Sequence, residues 1–550
     1  MPRGRDLAWR QTLGERWRLV LVVLALLLMA GGALAPLADP DLPMHLALGE
    51  WIVRHHAVPF HEPFAWTRAG APFYAYSWAM DLLYYWVGVI AGSWGLRVLW
   101  GVFIVACAAV MLPLGRVVGW RPWTTLVVAL LTVVVAFKIV PMLRPQSTLL
   151  IAVPVAWAAA YAILRAPRVR WAVAALVAAS ALAANSHLLF FLTAAPWVLL
   201  FTETGWRPRR VLALVLGTMI GWLLSPYVLV WPQVLHLNLG YNALLVLPSP
   251  IQEFKAGWVA SANLAQLKLF AVAALLALLP WLAPSRLSVR QCVGFGALWF
   301  VGLVGFGVVL RALLVWWLLA LPLVGYVVGR LPEPSTPLIR KIDMALVCVF
   351  AAAPALLEAR PFLTSASDAG WPNTRQVALI PGSDQDLLAS WLDCHTRPTA
   401  HGRVFTWFNF GSYLTWRLPD YSESVDGRTI FPDSVAKPET YSYLDLQRPA
   451  YGPWASADVA MLRLRHGAAP ILDTASGWTR VAVTNTKLDQ ADSTAQRADA
   501  SDSESRPSIA AALWVRDEWW KGAGDGPLPA RAAVLTRAEA CAREDALGRH

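Results

Sequence analysis

Residues 39–78 read DPDLPMHLALGEWIVRHHAVPFHEPFAWTRAGAPFYAYSW and follow directly on the first long apolar segment of the chain. They carry Asp39, Asp41, His45, Glu50, His55, His56, His61 and Glu62, interleaved with Trp and Tyr. No other part of the apolar half packs ionisable groups so densely. Asp39-Pro40-Asp41 reads as a helix start, with Asp39 as N-cap, Pro40 at the first helical position and Asp41 near the positive end of the dipole. Asp41 and His45 then stand one helical turn apart on one face, as a pair of titratable groups able to meet a substrate or a metal. His55, His56 and His61 lack metal-ligand regularity and read as surface.

Outward from this stretch, the composition defines the class. The 550 residues are 57% hydrophobic and only 15% charged, against about 25% charged in a soluble globular chain. The 30 Trp suit a protein with long membrane–water interfaces. Apolar segments recur near 19–37, 96–114, 123–140, 147–164, 171–184, 188–202, 211–225, 266–283, 291–309, 312–329 and 342–357. They predict a polytopic α-helical membrane protein of about eleven spans over residues 1–357. The first segment reads as a retained span rather than a signal peptide, and 78–92 as a short interfacial helix.

The net charge of +11 excludes little by itself, but its placement argues against nucleic acid. Basic residues crowd alternate short loops: Arg116 and Arg121, then Arg165, Arg168 and Arg170, then Arg207, Arg209 and Arg210, then Arg286 and Arg290. This is the signature of a cytoplasmic side. It sets the N-terminus inside and the loops 39–95 and 227–265 outside, with everything after residue 357 outside as well. Residues 358–550 change character. Strand-like runs RVFTWF, SYLTWRL, TRVAVTN and AALWV alternate with turn signals, predicting an extracytoplasmic α/β domain. Residues 489–508, polar and free of aromatics, read as a disordered loop. Cys394 and Cys541 both fall in this domain and could form one disulfide in an oxidising compartment.

This topology places several polar groups at one depth. Arg144 falls after the third span, Asn185 and His187 after the fifth, Pro226-Tyr227 after the seventh, Glu253 in the long outer loop and Arg311 after the ninth. Ionisable groups at membrane depth are costly and usually functional. Each also has a plainer reading: Arg144 as an arginine reaching headgroups, and His187 and Glu253 as structural. Arg311, inside GFGVVLRALLVWW, needs a buried partner. A guanidinium in these places suits phosphate, because its fork of donors matches phosphate oxygens.

The ordered series DPDxxxHLxxGExI, VPxxxPFxxTxxGxPF, Arg144-Pro145-Gln146, Asn185-Ser186-His187, Pro226-Tyr227, Ile251-Gln252-Glu253, then Gly411 to Pro419 (GSYLTWRLP) and Asp426-Gly427-Arg428 resembles bacterial GT-C-type membrane glycosyltransferases. The resemblance implies a GT-C fold in which a first-loop acid, Asp39 or Asp41, is a general base or a metal ligand. His45, Arg144, His187, Asn185, Glu253 and Arg311 would line the substrate, the cations holding a lipid phosphate. It also implies transfer of a sugar from a polyprenyl-phosphate donor at the outer face of the bacterial inner membrane, the acceptor left open and a divalent cation possible. A non-catalytic lipid-binding or scaffold protein of the same fold is the alternative. The chain departs from the group at Ser77, where an acid commonly precedes the Trp, at Ala312, where a His commonly follows the Arg, and at Pro43-Met44, where aromatics are usual.

Overall fold

The computed structural model describes residues 27, 29, 39, 41–139, 143–165, 169–237, 274, 276, 278, 287–308, 312–329, 384–424, 453–464, 466–484 and 511–535. Helix α1 (Leu42–His55) opens the first loop, and α2 (Trp78–Ala109), α3 (Met111–Val118), α4 (Pro122–Ile139), α5 (Leu149–Arg165) and α6 (Arg170–Ala184) follow. A 3-10 helix, Phe190–Val198, runs into the single turn α7 (Leu199–Thr202), and then come α8 (Pro208–Leu223), α9 (Trp231–Leu235), α10 (Val289–Val308) and α11 (Ala312–Val328). Among the described residues three helices are long and apolar enough to cross a membrane, Trp78–Val118, Pro145–Arg165 and Val289–Phe306. The pair Pro208–Leu223 and Val228–Leu235 makes a fourth if its 97° bend lies within one span. This is a helical membrane protein.

Its outer surface shows why. Along α8, Leu212, Leu216, Met219 and Leu223 are exposed, while Leu214, Gly217, Thr218 and Gly221 are buried. The buried stripe of small residues faces α6: a Cβ on Gly221 would come within 2.4 Å of Ser180 Cβ. Small residues facing the neighbour and large apolar ones facing out is the pattern of a helix solvated by lipid.

The 78–92 stretch is helical and leads into the span that follows, set off from it by a break at Gly92 with φ 59 and ψ −153, a conformation glycine adopts without a Cβ clash. One segment differs from its sequence reading: 188–202 is mostly 3-10 helix, with Pro196 inside it. Proline lacks the N–H that an α-helix would use there.

The C-terminal region adds α12 (Asp384–His395), β1 (Gly402–Thr406), α13 (Phe408–Arg417), β2 (Tyr421–Glu423), β3 (Val459–Arg463), α14 (Ala469–Thr474), β4 (Trp478–Thr484), β5 (Ala511–Arg516), α15 (Asp517–Ala523) and β6 (Ala533–Leu535). The sheet is mixed, in the order β2-β1-β3-β5-β4-β6. β1 is parallel to β2 and β3, β5 is antiparallel to β3 and β4, and β6 is parallel to β4. Its strands alternate faces with period two. Val404, Val459, Met461, Leu513 and Val515 pack with α12, α13 and α15. Phe405, Ala460, Leu462, Ala512 and Trp514 pack with α14 on the other face.

SYLTWRL, expected as a strand, is the body of α13. Aromatic and β-branched residues suggested a strand, but Phe410, Tyr413 and Leu414 are buried at helical spacing in the core of the sheet. Tyr413 donates to Asp386 at 2.6 Å and Arg417 to Asp393 at 3.1 Å, binding α13 to α12. Trp416 packs against the core of the membrane half. Tyr413 and Arg417 are thus held by protein groups. Asp426-Gly427-Arg428 and the 489–508 loop lie outside the described residues. Cys394 is disulfide-bonded, Cys107 and Cys292 are free thiols, and Cys541 lies outside the described residues.

The two parts meet directly. α13 packs against α1, Thr67 donates to the Ser424 carbonyl at 2.5 Å, and the Trp66 indole reaches the Val404 carbonyl at 3.4 Å. The first loop and the sheet therefore lie on the same face of any membrane the helices cross.

Candidate functional site

Helix α1 begins at Leu42 with Asp41 as N-cap, two residues later than expected, and Pro43 takes a first-turn position where a missing N–H costs nothing. Asp39 instead closes a turn before the helix, accepting from the Asp41 backbone N–H at 3.0 Å. The Asp41 carboxylate makes no capping bond.

Asp39 is fully buried. Arg144, in the extended turn before Pro145, forks onto it: Nε donates to Oδ2 at 2.9 Å and Nη2 to Oδ1 at 3.1 Å. The same Nη2 lies 3.4 Å from Asp41 Oδ2. Arg144 was expected to face a phosphate or headgroups. The fork joins it to the acid 105 residues before it.

His45, one turn into α1, bonds through Nδ1 to Asp81 Oδ1 at 2.7 Å. Asp81 is fully buried near the start of α2 and also accepts from Ser77 Oγ, at 3.1 and 3.2 Å. Sequence reasoning missed Asp81. The signal was an acid inside the apolar run WAMDLLYYW, which is costly at membrane depth without a partner. The serine that stands where the group commonly has an acid thus holds a carboxylate one turn further on.

The helices can approach this closely because of Gly49, one turn after His45. A Cβ there would fall 2.3 Å from the Asp81 carbonyl oxygen and 2.5 Å from Tyr85 Cβ. Gly49→Val should push α1 off α2 and break the His45–Asp81 bond. We expect a destabilisation of about 1–3 kcal/mol, read as a lowered midpoint in thermal unfolding of the detergent-solubilised protein. An unchanged midpoint would contradict the close crossing.

Burial disfavours a charged His45 ring, but Asp81, with Asp41 and Asp39 beyond it, outweighs burial and raises its pKa above the ordinary 6.5. The folded state therefore favours the protonated ring. Its stabilisation is complete below the ordinary pKa and is lost as pH rises through the raised one. The difference in unfolding midpoint between wild type and Asp81→Asn should accordingly be largest in mild acid and shrink toward alkaline pH. A difference independent of pH would refute the charge assignment.

Around this centre the other motif residues act as struts. Asn185 Oδ1 accepts from the Trp78 indole at 2.8 Å, its Nδ2 donates to the Ala181 carbonyl at 2.8 Å, and its own carbonyl accepts from Ala79 N–H. His187 Nδ1 accepts from Leu189 N–H at 3.1 Å, and its ring meets Tyr76 edge-on. Tyr227 donates to the Pro59 carbonyl at 2.9 Å and accepts from Ala75 N–H at 3.0 Å, clamping both ends of the segment 59–75. Asn185 and Tyr227 thus hold the first loop in place. His55, His56 and His61 are exposed. Glu253 and Arg311 lie outside the described residues.

The structure thus brings Asp39, Asp41, His45 and Arg144 together, with Asp81 as a fifth member. Among the described residues no group of three or more His, Cys, Asp or Glu is arranged to hold a metal ion. The donor chemistry agrees: Asp39 is taken by Arg144, and Asp81 by His45 and Ser77. These residues do not form a cage for a divalent cation.

No protein-family model and no curated protein sequence matches the chain. Solved structures do. A mutant form of the mycobacterial arabinofuranosyltransferase AftD aligns with a TM-score of 0.53 and 17% identity, over 92% of this chain and 42% of that one. The apo oligosaccharyltransferase of Archaeoglobus fulgidus aligns with a TM-score of 0.52 and 13% identity, over 81% and 69%. ArnT from Cupriavidus metallidurans aligns over 92% and 99% at 13% identity, with a TM-score of 0.49. The chain is similar in structure to GT-C membrane glycosyltransferases over most of its length. It spans about two fifths of the length of AftD, and at these identities the likeness is one of fold.

Proposed function

We propose that the protein is a membrane glycosyltransferase that moves a sugar from a polyprenyl-phosphate-linked donor to an envelope acceptor at the outer face of the bacterial inner membrane. The observation that carries this reading is the convergence of Asp39 and Asp41 with Arg144, more than a hundred residues away in the chain. Asp41 is the more exposed acid, and it sits at the positive end of α1. In this reading its carboxylate takes the proton from the acceptor hydroxyl as the acceptor oxygen attacks the sugar C1. Arg144, itself held by the fork on Asp39, lies 3.4 Å from this carboxylate and fixes its position. The disulfide at Cys394 suits an oxidising compartment.

The test is to supply the full chain in nanodiscs with a panel of radiolabelled polyprenyl-phosphate sugars and envelope extract, and to follow label leaving the lipid. Transfer or slow hydrolysis with one donor supports the reading. Lipid binding with no release from any donor would favour a non-catalytic lipid-binding protein of the same fold.

A further inference from the structure

We propose that Asp81 and His45 form a dyad in which Asp81 fixes the imidazole through Nδ1, so that the Nε2–H donates to the phosphate of the lipid-linked donor. This rests on the transferase reading and deepens it by naming the group that meets the leaving phosphate.

Four observations on different side chains support the dyad. The Nδ1–Oδ1 bond of 2.7 Å sets the ring plane and directs the opposite nitrogen away from α2. Ser77 buttresses both oxygens of Asp81, so the acid cannot turn aside. Asp81 is sealed, whereas 11% of the His45 side chain is exposed, so the pair has one buried end and one open end. Next to it lies Tyr84, edge-on to the His45 ring with centroids 6.1 Å apart, fully buried, its hydroxyl without a hydrogen-bond partner among the described residues. A buried hydroxyl left unmatched is costly, and a ligand oxygen or a water it brings would satisfy it. Arg144, the other cation of the cluster, is engaged with Asp39. In the transfer step the bond from sugar C1 to the phosphate oxygen breaks as the bond from C1 to the acceptor oxygen forms. The electron pair stays on the phosphate, the acceptor proton goes to Asp41, and the Nε2–H hydrogen bond stabilises the added charge.

The charged and titratable groups around the ring are Asp39 and Asp41 before α1, Asp81 and Tyr84 from α2, and Arg144 through its pairs with the first two. The test is binding by the full chain in nanodiscs of two probes, methyl farnesyl phosphate and farnesol. A phosphodiester lacks the second ionisation near pH 6 of a monoester, so any pH dependence belongs to the protein. Wild type should prefer the diester over farnesol, and the preference should weaken as pH rises above neutrality. His45→Gln should lose about 10–100-fold in diester affinity with farnesol unchanged. Asp81→Asn keeps an acceptor for Nδ1–H, and its binding profile should shift to lower pH. Diester affinity that is flat with pH in wild type, or unchanged in His45→Gln, overturns the dyad. If His45→Gln does not fold, the wild-type profile decides. Equal affinity of wild type for diester and farnesol would instead remove the polyprenyl-phosphate reading itself.

Discussion

Arg144→Met should destabilise the protein by about 3–5 kcal/mol, because it strips a fully buried carboxylate of its partner. Asp39 is 0% exposed and the Arg144 side chain 12%, so water cannot replace the fork of two bonds between them. Asp39→Asn should cost a comparable amount, since it takes the negative charge from the fork that holds the guanidinium. The double variant Asp39→Asn with Arg144→Met should recover much of the loss, because it leaves no unpaired buried charge. Unfolding midpoints of the four proteins form a cycle whose coupling term isolates the pair. Additive losses would mean that the two side chains do not meet.

Asp41→Asn should behave in the opposite way. Its carboxylate makes no capping bond, is partly exposed and lies 3.4 Å from Arg144, so folding should change less than in Asp39→Asn. Transfer should fall by about 10²–10⁴-fold, the usual contribution of a positioned general base. Binding of methyl farnesyl phosphate should persist or tighten, as one negative charge near the phosphate is gone. Retained transfer in Asp41→Asn, with loss in a folded Asp39→Asn, would exchange the roles of the two acids.

Much of this architecture was legible from one-dimensional patterns. Apolar runs mark helices because lipid demands them, and three of the four runs read as strands, RVFTWF, TRVAVTN and AALWV, overlap β1, β4 and β5. The expected alternation of spans singled out Asp39, Asp41, His45, Arg144, Asn185 and His187 as candidates, and the contacts of the first loop with Arg144 and Asn185 are read from the fold. What was not legible depends on which side chain faces which. α13 was misread because aromatics fit strands as well as helices, and only their spacing separates the two. Asp81 was hidden in a run judged by its hydropathy, though one carboxylate in such a run requires a partner. The role of Gly49 could not be read at all, since a glycine reports a close crossing only once the opposing helix is known. The pairing of Arg144 with Asp39 likewise comes only from the fold.

The contact between Thr67 and Ser424 joins residues 357 positions apart. Trp66 is a member of one face of the distal sheet, where it packs with β1, β3 and β5. A ribosome makes the segment 39–78 early and β2 very late. Until β1 and β2 have been made and folded, Trp66 and Thr67 of the first loop lack the carbonyls they donate to. A chain cut short before β2 would leave Thr67 without its acceptor at Ser424 and the first loop without that support.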